Sequence, residues 1–483
     1  MRNHVNKVLK KQINLWVPKE TPCRHWILIF TFLLAILSNR TGLNTNVMSR
    51  VALMLAISER QSFEISPWQS LTLDWAKTPN GRYYSNKAPG PSLLATPLFA
   101  VLYKPIYWGL KHLYPEPKRF NTAWNNALSF IMWLISFTFQ IVPFVWVISR
   151  LAIVLEEHFV SRGGILFFIF AAMFGNTGCF YMNCFHGHGY AMVFSLAGIF
   201  YLLKKNWVLL GLFLGGGVLG DYSSALLIPI ILVWVLTMEP SKGCGRVYWA
   251  LGKGLVFPLI VFAFYHWSSF GGILTLPQKY QNPIFVDPST DYKTFGVLSL
   301  LPKADVLYQL LFGPYRGVLL TQPYILLLSI LLPMSCFLEI LHRAKASDKS
   351  MIGLISVVFF CGLLWMNAGF NGWHGGSAPG PRYLVSVFPI MAFSGALLWN
   401  TISRAAQIVL WGTLLFSVAF FAVVLTVGAT PPETQTLRFF YTGVFKNLNE
   451  YPQFLPRLGL VVLTFGWGGV MEKRRSLTAK KHG

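Results

Sequence analysis

The chain has 483 residues, of which 54% are hydrophobic and only 12% are charged. Soluble domains carry about 25% charged residues, so this composition excludes a protein whose whole surface faces water. The net charge of +23 does not indicate a nucleic-acid partner, because Lys and Arg lie mainly in short segments between or beyond apolar runs.

Apolar runs near the spanning length of about 20 residues recur from Trp26 to Val470. Helices satisfy their own backbone polar groups in hydrocarbon, so the sequence predicts an all-α polytopic membrane protein with about twelve transmembrane helices. The basic start of the chain precedes an apolar run without a small-residue cleavage site, which favours a retained first helix. The predicted spans are 25–40, 124–148, 164–179, 189–203, 206–219, 221–238, 248–268, 318–341, 351–367, 383–400, 406–428 and 456–471.

The placement of basic residues predicts the orientation of these spans. An even number of spans puts both termini on one side, and the positive-inside rule places that side in the cytoplasm. The outer loops would then be 41–123, 180–188, 269–317, 368–382 and 429–455, facing the periplasm or the exterior of an inner (plasma) membrane. The segments assigned to the cytoplasm carry Arg150, Arg162, Lys204, Lys205, Lys242, Arg246, Arg343, Lys345, Arg404, Lys473, Arg474 and Arg475.

The stretch from Pro91 to Leu110 is apolar enough to cross, but a crossing there would move the basic tail outside. We therefore expect interfacial helices in a long first outer loop, interrupted by Pro91, Pro97 and Pro105. We divide the chain into a membrane module at 1–400, which contains the first four outer loops, and C-terminal helices with a basic tail at 401–483.

The first outer loop concentrates charged residues beside the membrane. Asp74 and Glu59 are candidate catalytic carboxylates, Lys87 is a candidate phosphate ligand, and Tyr84 is a further candidate site residue. A solvated loop with ordinary surface charges is the alternative explanation.

The segment CFYMNCFHGHGYAM places His186 and His188 at the start of an apolar run. With Cys179 and Cys184, the spacing C-x4-C-x-H-x-H also fits a zinc site, although histidines beside glycines are more often polar site residues. Asp221 is the first residue of another predicted span, where a carboxylate is either functional or the N-terminal cap of the helix.

Two further outer segments each place one arginine among glycine and proline just before an apolar span. These are LLFGPYRGVLLTQP, with Arg316, and NGWHGGSAPGPRYLVSVFP, with His374 and Arg382. Such an arginine either anchors the chain at lipid headgroups or, together with Lys87, clamps a lipid-linked phosphate.

The layout of these segments resembles the C-type glycosyltransferase superfamily, which includes protein O-mannosyltransferases and lipid A aminoarabinose transferases. The resemblance covers roughly residues 25–400 and is carried by four motifs in order. They are NGRYYSNKAPG from Asn80 to Gly90, FHGHGYAM with His188, PYRG from Pro314 to Gly317, and WHGGSAPGPRY from Trp373 to Tyr383. The histidine suggests a divergent bacterial branch, because better-known members carry an aspartate in that loop.

The resemblance implies transfer of a sugar from a polyprenyl-phosphate donor to a glycan, lipid or protein acceptor of the cell envelope. Asp74 would orient or deprotonate the acceptor with help from His188, while Lys87, Arg316 and Arg382 would hold the donor phosphate. A divalent metal is compatible with such a site but is not specified by it. The segment TGLNTNVMSR departs from the family because it has no acidic residue, so Glu59, Glu64 or Asp74 would supply the carboxylate.

Two other functions fit the same pattern of basic groups near the interface. A transporter or flippase of lipid-linked sugars would be expected to show paired halves and charges at mid-membrane depth, and neither is evident in the sequence. A non-catalytic membrane assembly subunit with the same fold would account for the missing acid. Membrane lipids are expected partners of all three classes, and nucleic acid of none.

Overall fold

The computed structural model describes residues 18, 20–37, 43–182, 184–238, 244–285, 298–343, 347–427 and 453–481. Nearly all regular structure in these ranges is helical, which confirms the predicted all-α class. Seven of the described helices are long and apolar enough to cross a membrane, and six shorter apolar helices accompany them. The basic N-terminal segment, Lys242, Lys345 and most of the predicted outer loop 429–455 lie outside the described residues.

Each predicted span overlaps one of these apolar helices, because long runs of Leu, Ile, Val and Phe determined both. The helices are α1 Arg24–Ile36, α2 Thr45–Arg60, α3 Gly90–Leu113, α4 Pro117–Ser136, α5 Val142–Glu157, α6 Arg162–Met173, α7 Gly178–Met182, α8 Gly187–Leu203, α9 Trp207–Gly220, α10 Leu227–Met238, α11 Cys244–Phe270, α12 Ala304–Leu311, α13 Val318–Thr321, α14 Pro323–Arg343, α15 Asp348–Ala368, α16 Phe388–Leu397, α17 Arg404–Val427 and α18 Phe454–Lys481.

The proline-rich stretch 91–110 differs from its prediction. It forms the single helix α3, which continues through Pro97 and Pro105 and is itself long and apolar enough to span. An internal proline removes one backbone hydrogen bond, and α3 accommodates Pro97 and Pro105 without a break. The helix contacts both α2 and α4. The sequence therefore located the segment correctly but wrongly predicted its interruption.

One helix runs without a break from Pro117 to Glu157, through α4 and α5. At 1.5 Å per residue its 41 residues measure roughly 60 Å, about twice the thickness of the hydrocarbon core. A π-helical turn, Phe137–Ile141, joins the two halves. This turn carries Gln140, whose side chain is fully buried, and such turns often occur at functional sites.

A two-stranded antiparallel hairpin follows α2. Its strands are β1 Trp75–Lys77 and β2 Tyr83–Ser85, with Ala76 opposite Tyr84. The turn between them uses Gly81 at φ +82°, a left-handed conformation that favours glycine. The hairpin brings the residues just before β1 and just after β2 to the same end.

Candidate functional site

A cavity of about 570 Å3 lies where several chain segments meet. It is bordered by the start of α2, the open end of the hairpin, the start of α8, the connection from α9 to α10, and parts of residues 278–285 and 370–383. Seven of the ten site residues that the sequence suggested line this one cavity: Asp74, Lys87, His186, His188, Asp221, His374 and Arg382.

Asp74 and Lys87 form an ion pair at the open end of the hairpin, with Oδ1 and Nζ 2.9 Å apart. The pairing of Trp75 with Ser85 brings the two residues together. Ser49 Oγ donates to the Asp74 carbonyl oxygen at 2.5 Å, and the Lys87 N–H donates to Ser85 Oγ at 3.3 Å. Burial acts to raise the pKa of Asp74, but the charge and hydrogen bond of Lys87, together with Arg382 and Thr45, outweigh it and hold that pKa below its usual range. Asp74 is therefore an ionised carboxylate that is paired with the Lys87 ammonium.

His188 and Asp221 form a second pair, with Nδ1 and Oδ2 2.5 Å apart. Asp221 Oδ1 accepts hydrogen bonds from the Ser223 N–H at 3.1 Å and the Ser223 hydroxyl at 2.8 Å. Burial acts to raise the pKa of Asp221, but His188 and Ser223 outweigh it and hold the pKa below its usual range. A carboxylate facing Nδ1 fixes a proton on that nitrogen, so Nε2 is the atom of His188 that can accept a proton.

Asp221 also has the capping role that the sequence left open. It precedes the 3-10 turn Tyr222–Leu226, and its side chain accepts the hydrogen bond from the Ser223 N–H. One carboxylate oxygen serves as the cap while the other faces His188. The two interpretations of Asp221 are therefore compatible.

His186 is held as a neutral ring by Asn44. Asn44 Oδ1 accepts the hydrogen bond from the Val47 N–H at 3.0 Å, which turns Nδ2 toward His186 Nε2 at 3.3 Å. Because Nε2 accepts that hydrogen bond, the ring proton lies on Nδ1. Burial, followed by the nearby charge of Arg50, lowers the pKa of His186 well below its usual range. Gln140 from the π-helical turn donates to the His186 carbonyl oxygen at 3.3 Å and fixes the backbone here.

Arg50 lines the same cavity and was missed by the sequence analysis. It is only 4% exposed, and its Nη1 donates to the backbone and side-chain oxygens of Asn46. Burial lowers the pKa of Arg50 to about 10, so the guanidinium stays charged at neutral pH. The helical spacing of Val47, Val51 and Met54 was the available signal, because it places Arg50 on the buried face of α2.

Arg382 reaches the cavity from a glycine-rich turn. Its Nη2 donates to the Tyr383 hydroxyl at 3.0 Å, and its guanidinium carbon lies 5.0 Å from the centre of the Tyr383 ring. Gly375 and Gly376 both have positive φ, and a Cβ on Gly375 would lie 2.8 Å from the Arg382 side chain. The Gly376 N–H donates to His374 Nδ1 at 3.0 Å, which orients the His374 ring.

Arg316 supports this turn from behind instead of lining the cavity. It is fully buried, and its Nη2 donates to the Gly376 carbonyl oxygen at 3.2 Å. Its Nη1 donates to the Tyr315 carbonyl oxygen at 2.7 Å. Arg316 therefore lies behind the turn, outside the cavity lining, and its phosphate contact stays a prediction.

Two other candidates also lie away from the cavity lining. Tyr84 packs edge-on against Phe270, with ring centres 5.4 Å apart, in a separate apolar cluster. Glu59 is exposed on α2 and accepts a hydrogen bond from the Tyr103 hydroxyl.

No group of three or more His, Cys, Asp or Glu side chains is arranged to hold a metal ion within the described ranges. Cys179 and Cys184 instead pack in the main apolar core. The zinc arrangement that the spacing C-x4-C-x-H-x-H allowed is therefore not formed.

The ionised side chains around the cavity leave one net positive charge. Arg50, Lys87 and Arg382 contribute the positive charges, and Asp74 and Asp221 the negative ones. Among the described residues no carboxylate lies within ion-pair distance of Arg50 or Arg382. The lining therefore combines a carboxylate–histidine pair with two arginines that face only neutral contact partners.

Comparisons of the chain with family models, curated proteins and solved structures find no match.

Proposed function

We propose that the chain is a membrane glycosyltransferase that moves a sugar from a polyprenyl-phosphate donor to a glycan, lipid or protein acceptor. The observation that carries this proposal is the meeting of the His188–Asp221 pair with Arg50, Lys87 and Arg382 in one cavity. Glycosyl transfer needs a group that takes the acceptor proton and cations that stabilise the departing phosphate. The four motifs that resemble C-type glycosyltransferases contribute to this cavity or support it.

The proposed topology has twelve spans, with both termini in the cytoplasm and the cavity at the outer face of the inner membrane. The basic segments support this orientation. In it, α3 lies at the interface, and the other twelve apolar helices cross. The cavity residues come from connections that this topology assigns to a single side, which supports the arrangement.

His188 replaces Asp74 as our candidate base. Asp74 is paired with Lys87, so its carboxylate is already engaged. The pKa values of Asp74 and His188 both lie below their usual ranges, and burial is the main cause for His188, so the choice rests on geometry. His188 Nε2 is available because Asp221 holds the proton on Nδ1. Asp74 then serves to position Lys87.

The reaction proceeds by attack of the acceptor oxygen on the anomeric carbon of the donor sugar. A new bond forms between these two atoms with inversion, and the bond from the anomeric carbon to the phosphate oxygen breaks. The acceptor proton passes to His188 Nε2, and the bonding electron pair leaves with polyprenyl phosphate. Lys87 and Arg382 stabilise the negative charge that develops on the phosphate.

The net charge of the cavity balances the charge of the phosphate both before and after the transfer. A donor phosphodiester carries one negative charge, which balances the one net positive charge of the lining. The released phosphate monoester carries nearly two negative charges, and protonation of His188 adds the second positive charge. Charge neutrality is thus preserved without any ion entering the site.

The test is release of polyprenyl phosphate from labelled polyprenyl-phosphate sugars in membranes that contain the full chain. Arg382→Gln should reduce transfer by about 10²–10³-fold, because it removes a cation from the leaving group. Arg82→Gln is the matched control, since Arg82 is 59% exposed and lies outside the cavity lining. Movement of the labelled lipid across the bilayer without release of polyprenyl phosphate would instead identify a flippase. If the membranes show neither sugar transfer nor movement of the labelled lipid, the result would support the non-catalytic assembly subunit.

A further inference from the structure

A second cleft, of about 220 Å3, lies between α1 and α18, apart from the cavity described above. Its walls are formed by Arg24, His25 and Leu28 of α1 and by Trp467 and Met471 of α18. Arg24 and Leu28 lie about one helical turn apart, and so do Trp467 and Met471. The cleft therefore runs along the helix pair for about one turn of each helix.

The two helices that form the cleft run antiparallel and in close contact. His25, near the start of α1, lies beside Glu472, with Nε2 and Oε2 3.0 Å apart. Further along α1, the ring of Phe30 lies 5.6 Å from that of Phe465, which precedes Glu472 on α18. Gly468 allows this approach, because a Cβ at that position would lie 2.7 Å from the tryptophan ring of α1. The position of the cleft is therefore fixed by the packing of α1 on α18.

The two ends of the cleft differ in chemistry. Because the helices are antiparallel, Arg24 shares one end with Met471, and Leu28 shares the other end with Trp467. Arg24 is the first residue of α1 and carries a permanent positive charge, and the basic run 473–475 follows Met471 closely in the sequence. Leu28 and Trp467 are apolar, 36% and 57% exposed, and lie one turn deeper in the apolar parts of their helices. The cleft thus offers a cation at one end and apolar surface at the other.

The carboxylate at the charged end is engaged by two basic side chains. Glu472 Oε1 lies 2.5 Å from Arg162 Nε, and its Oε2 faces His25 Nε2. These contacts tie the starts of α1 and α6 to α18 at the level where the apolar segment of α18 ends. The negative charge of Glu472 is thus balanced within the protein, and Arg24 makes this end of the cleft attractive to an anion.

We propose that this cleft binds an anionic phospholipid, with the lipid phosphate at Arg24 and an acyl chain along Leu28 and Trp467. The segment of α18 that borders the cleft is long and apolar enough to span a membrane, so the bilayer is the source of the ligand. Basic pockets between membrane helices bind the headgroups of anionic lipids. A soluble phosphate would meet Arg24 but would leave the apolar end of the cleft unused. The cleft is separate from the cavity of the proposed transferase, so the proposal holds whether or not the chain transfers a sugar.

Lipid binding to the full chain in detergent is measured by native mass spectrometry. The probes are phosphatidylglycerol and phosphatidylcholine with identical acyl chains, and glycerol phosphate as a soluble headgroup. The first phosphatidylglycerol should bind about fivefold more tightly than the first phosphatidylcholine, since one arginine near the membrane surface favours an anionic lipid by about that factor. Equal binding of the two lipids overturns the proposal. So does displacement of phosphatidylglycerol by glycerol phosphate at equal concentration, because the site would then recognise the phosphate alone.

Two variants test the two ends of the cleft separately. Arg24→Gln should reduce the preference for phosphatidylglycerol to within about twofold. Arg404→Gln is the matched control and should keep the preference, because Arg404 is the exposed first residue of α17 and lies outside the cleft. Trp467→Ala, at an exposed position, should weaken both lipids equally and decides the test if Arg24→Gln does not fold. A preference retained by folded Arg24→Gln, or native affinity for both lipids in Trp467→Ala, contradicts the proposed site.

Discussion

Replacing Asp221 with Asn should disable the base while keeping the shape of the site. In the native protein Asp221 Oδ2 lies 2.5 Å from His188 Nδ1, so it requires a proton on that nitrogen. The Asn variant can keep Oδ1 as the acceptor for Ser223, and it then presents an NH2 group to the ring. His188 must then accept that hydrogen bond through Nδ1, which moves the ring proton to Nε2. With Nε2 protonated, His188 cannot take the proton of the sugar-acceptor hydroxyl.

The expected loss is about 10²–10⁴-fold in the rate of transfer, the usual contribution of general base catalysis. This corresponds to about 3–5 kcal/mol in activation free energy. The assay is polyprenyl phosphate release at saturating donor, with donor KM expected to stay within about threefold of the native value. Ser223→Ala is the control, because it removes a hydrogen bond to Asp221 without reversing the His188 tautomer. Transfer by Asp221→Asn within about tenfold of the native rate would refute the assignment.

Three further outcomes are expected. A reporter fused after Lys481 should read cytoplasmic and one inserted near Asn282 external, and the opposite result at either site would remove the motifs from the proposed face. The lowered pKa of Asp74 contributes stability that is present above its ordinary value near 4 and lost as pH falls below it. The unfolding temperature in detergent should therefore fall more steeply below pH 4 in the native protein than in Asp74→Asn. Gly187→Ala should reduce both stability and transfer, since its Cβ would lie 2.2 Å from the Gly220 carbonyl oxygen. Normal melting of that variant would contradict the close packing at the start of α8.

Hydropathy alone predicted where the apolar helices lie, because each of them is a long run of apolar residues. It did not predict that α3 continues through Pro97 and Pro105. Nor did it indicate that α4 and α5 form one continuous helix through a π-helical turn. Hydropathy measures only how apolar a segment is, so it encodes neither feature.

Part of the cavity lining was predictable, because the sequence also indicates which loops share one side of the membrane. The positive-inside rule grouped Asp74, His188 and Arg382 on one side of the membrane, and all three line the cavity. Sequence could not tell how deeply each side chain lies or which charges pair. For this reason Arg316, which holds the turn from behind, was indistinguishable from Arg382, which faces the cavity.

The two hydrogen bonds of Asn44 limit which residues could replace it. Ser, Thr and Asp normally substitute for Asn at the start of a helix, because each supplies the oxygen that the cap requires. Ser and Thr would leave His186 without its fixed donor, and Asp would turn an oxygen toward Nε2 and draw the ring proton there. An exposed residue at a helix start, ordinarily free to vary, is here restricted to one side chain, and Asn44→Asp would reverse the His186 tautomer without disturbing α2.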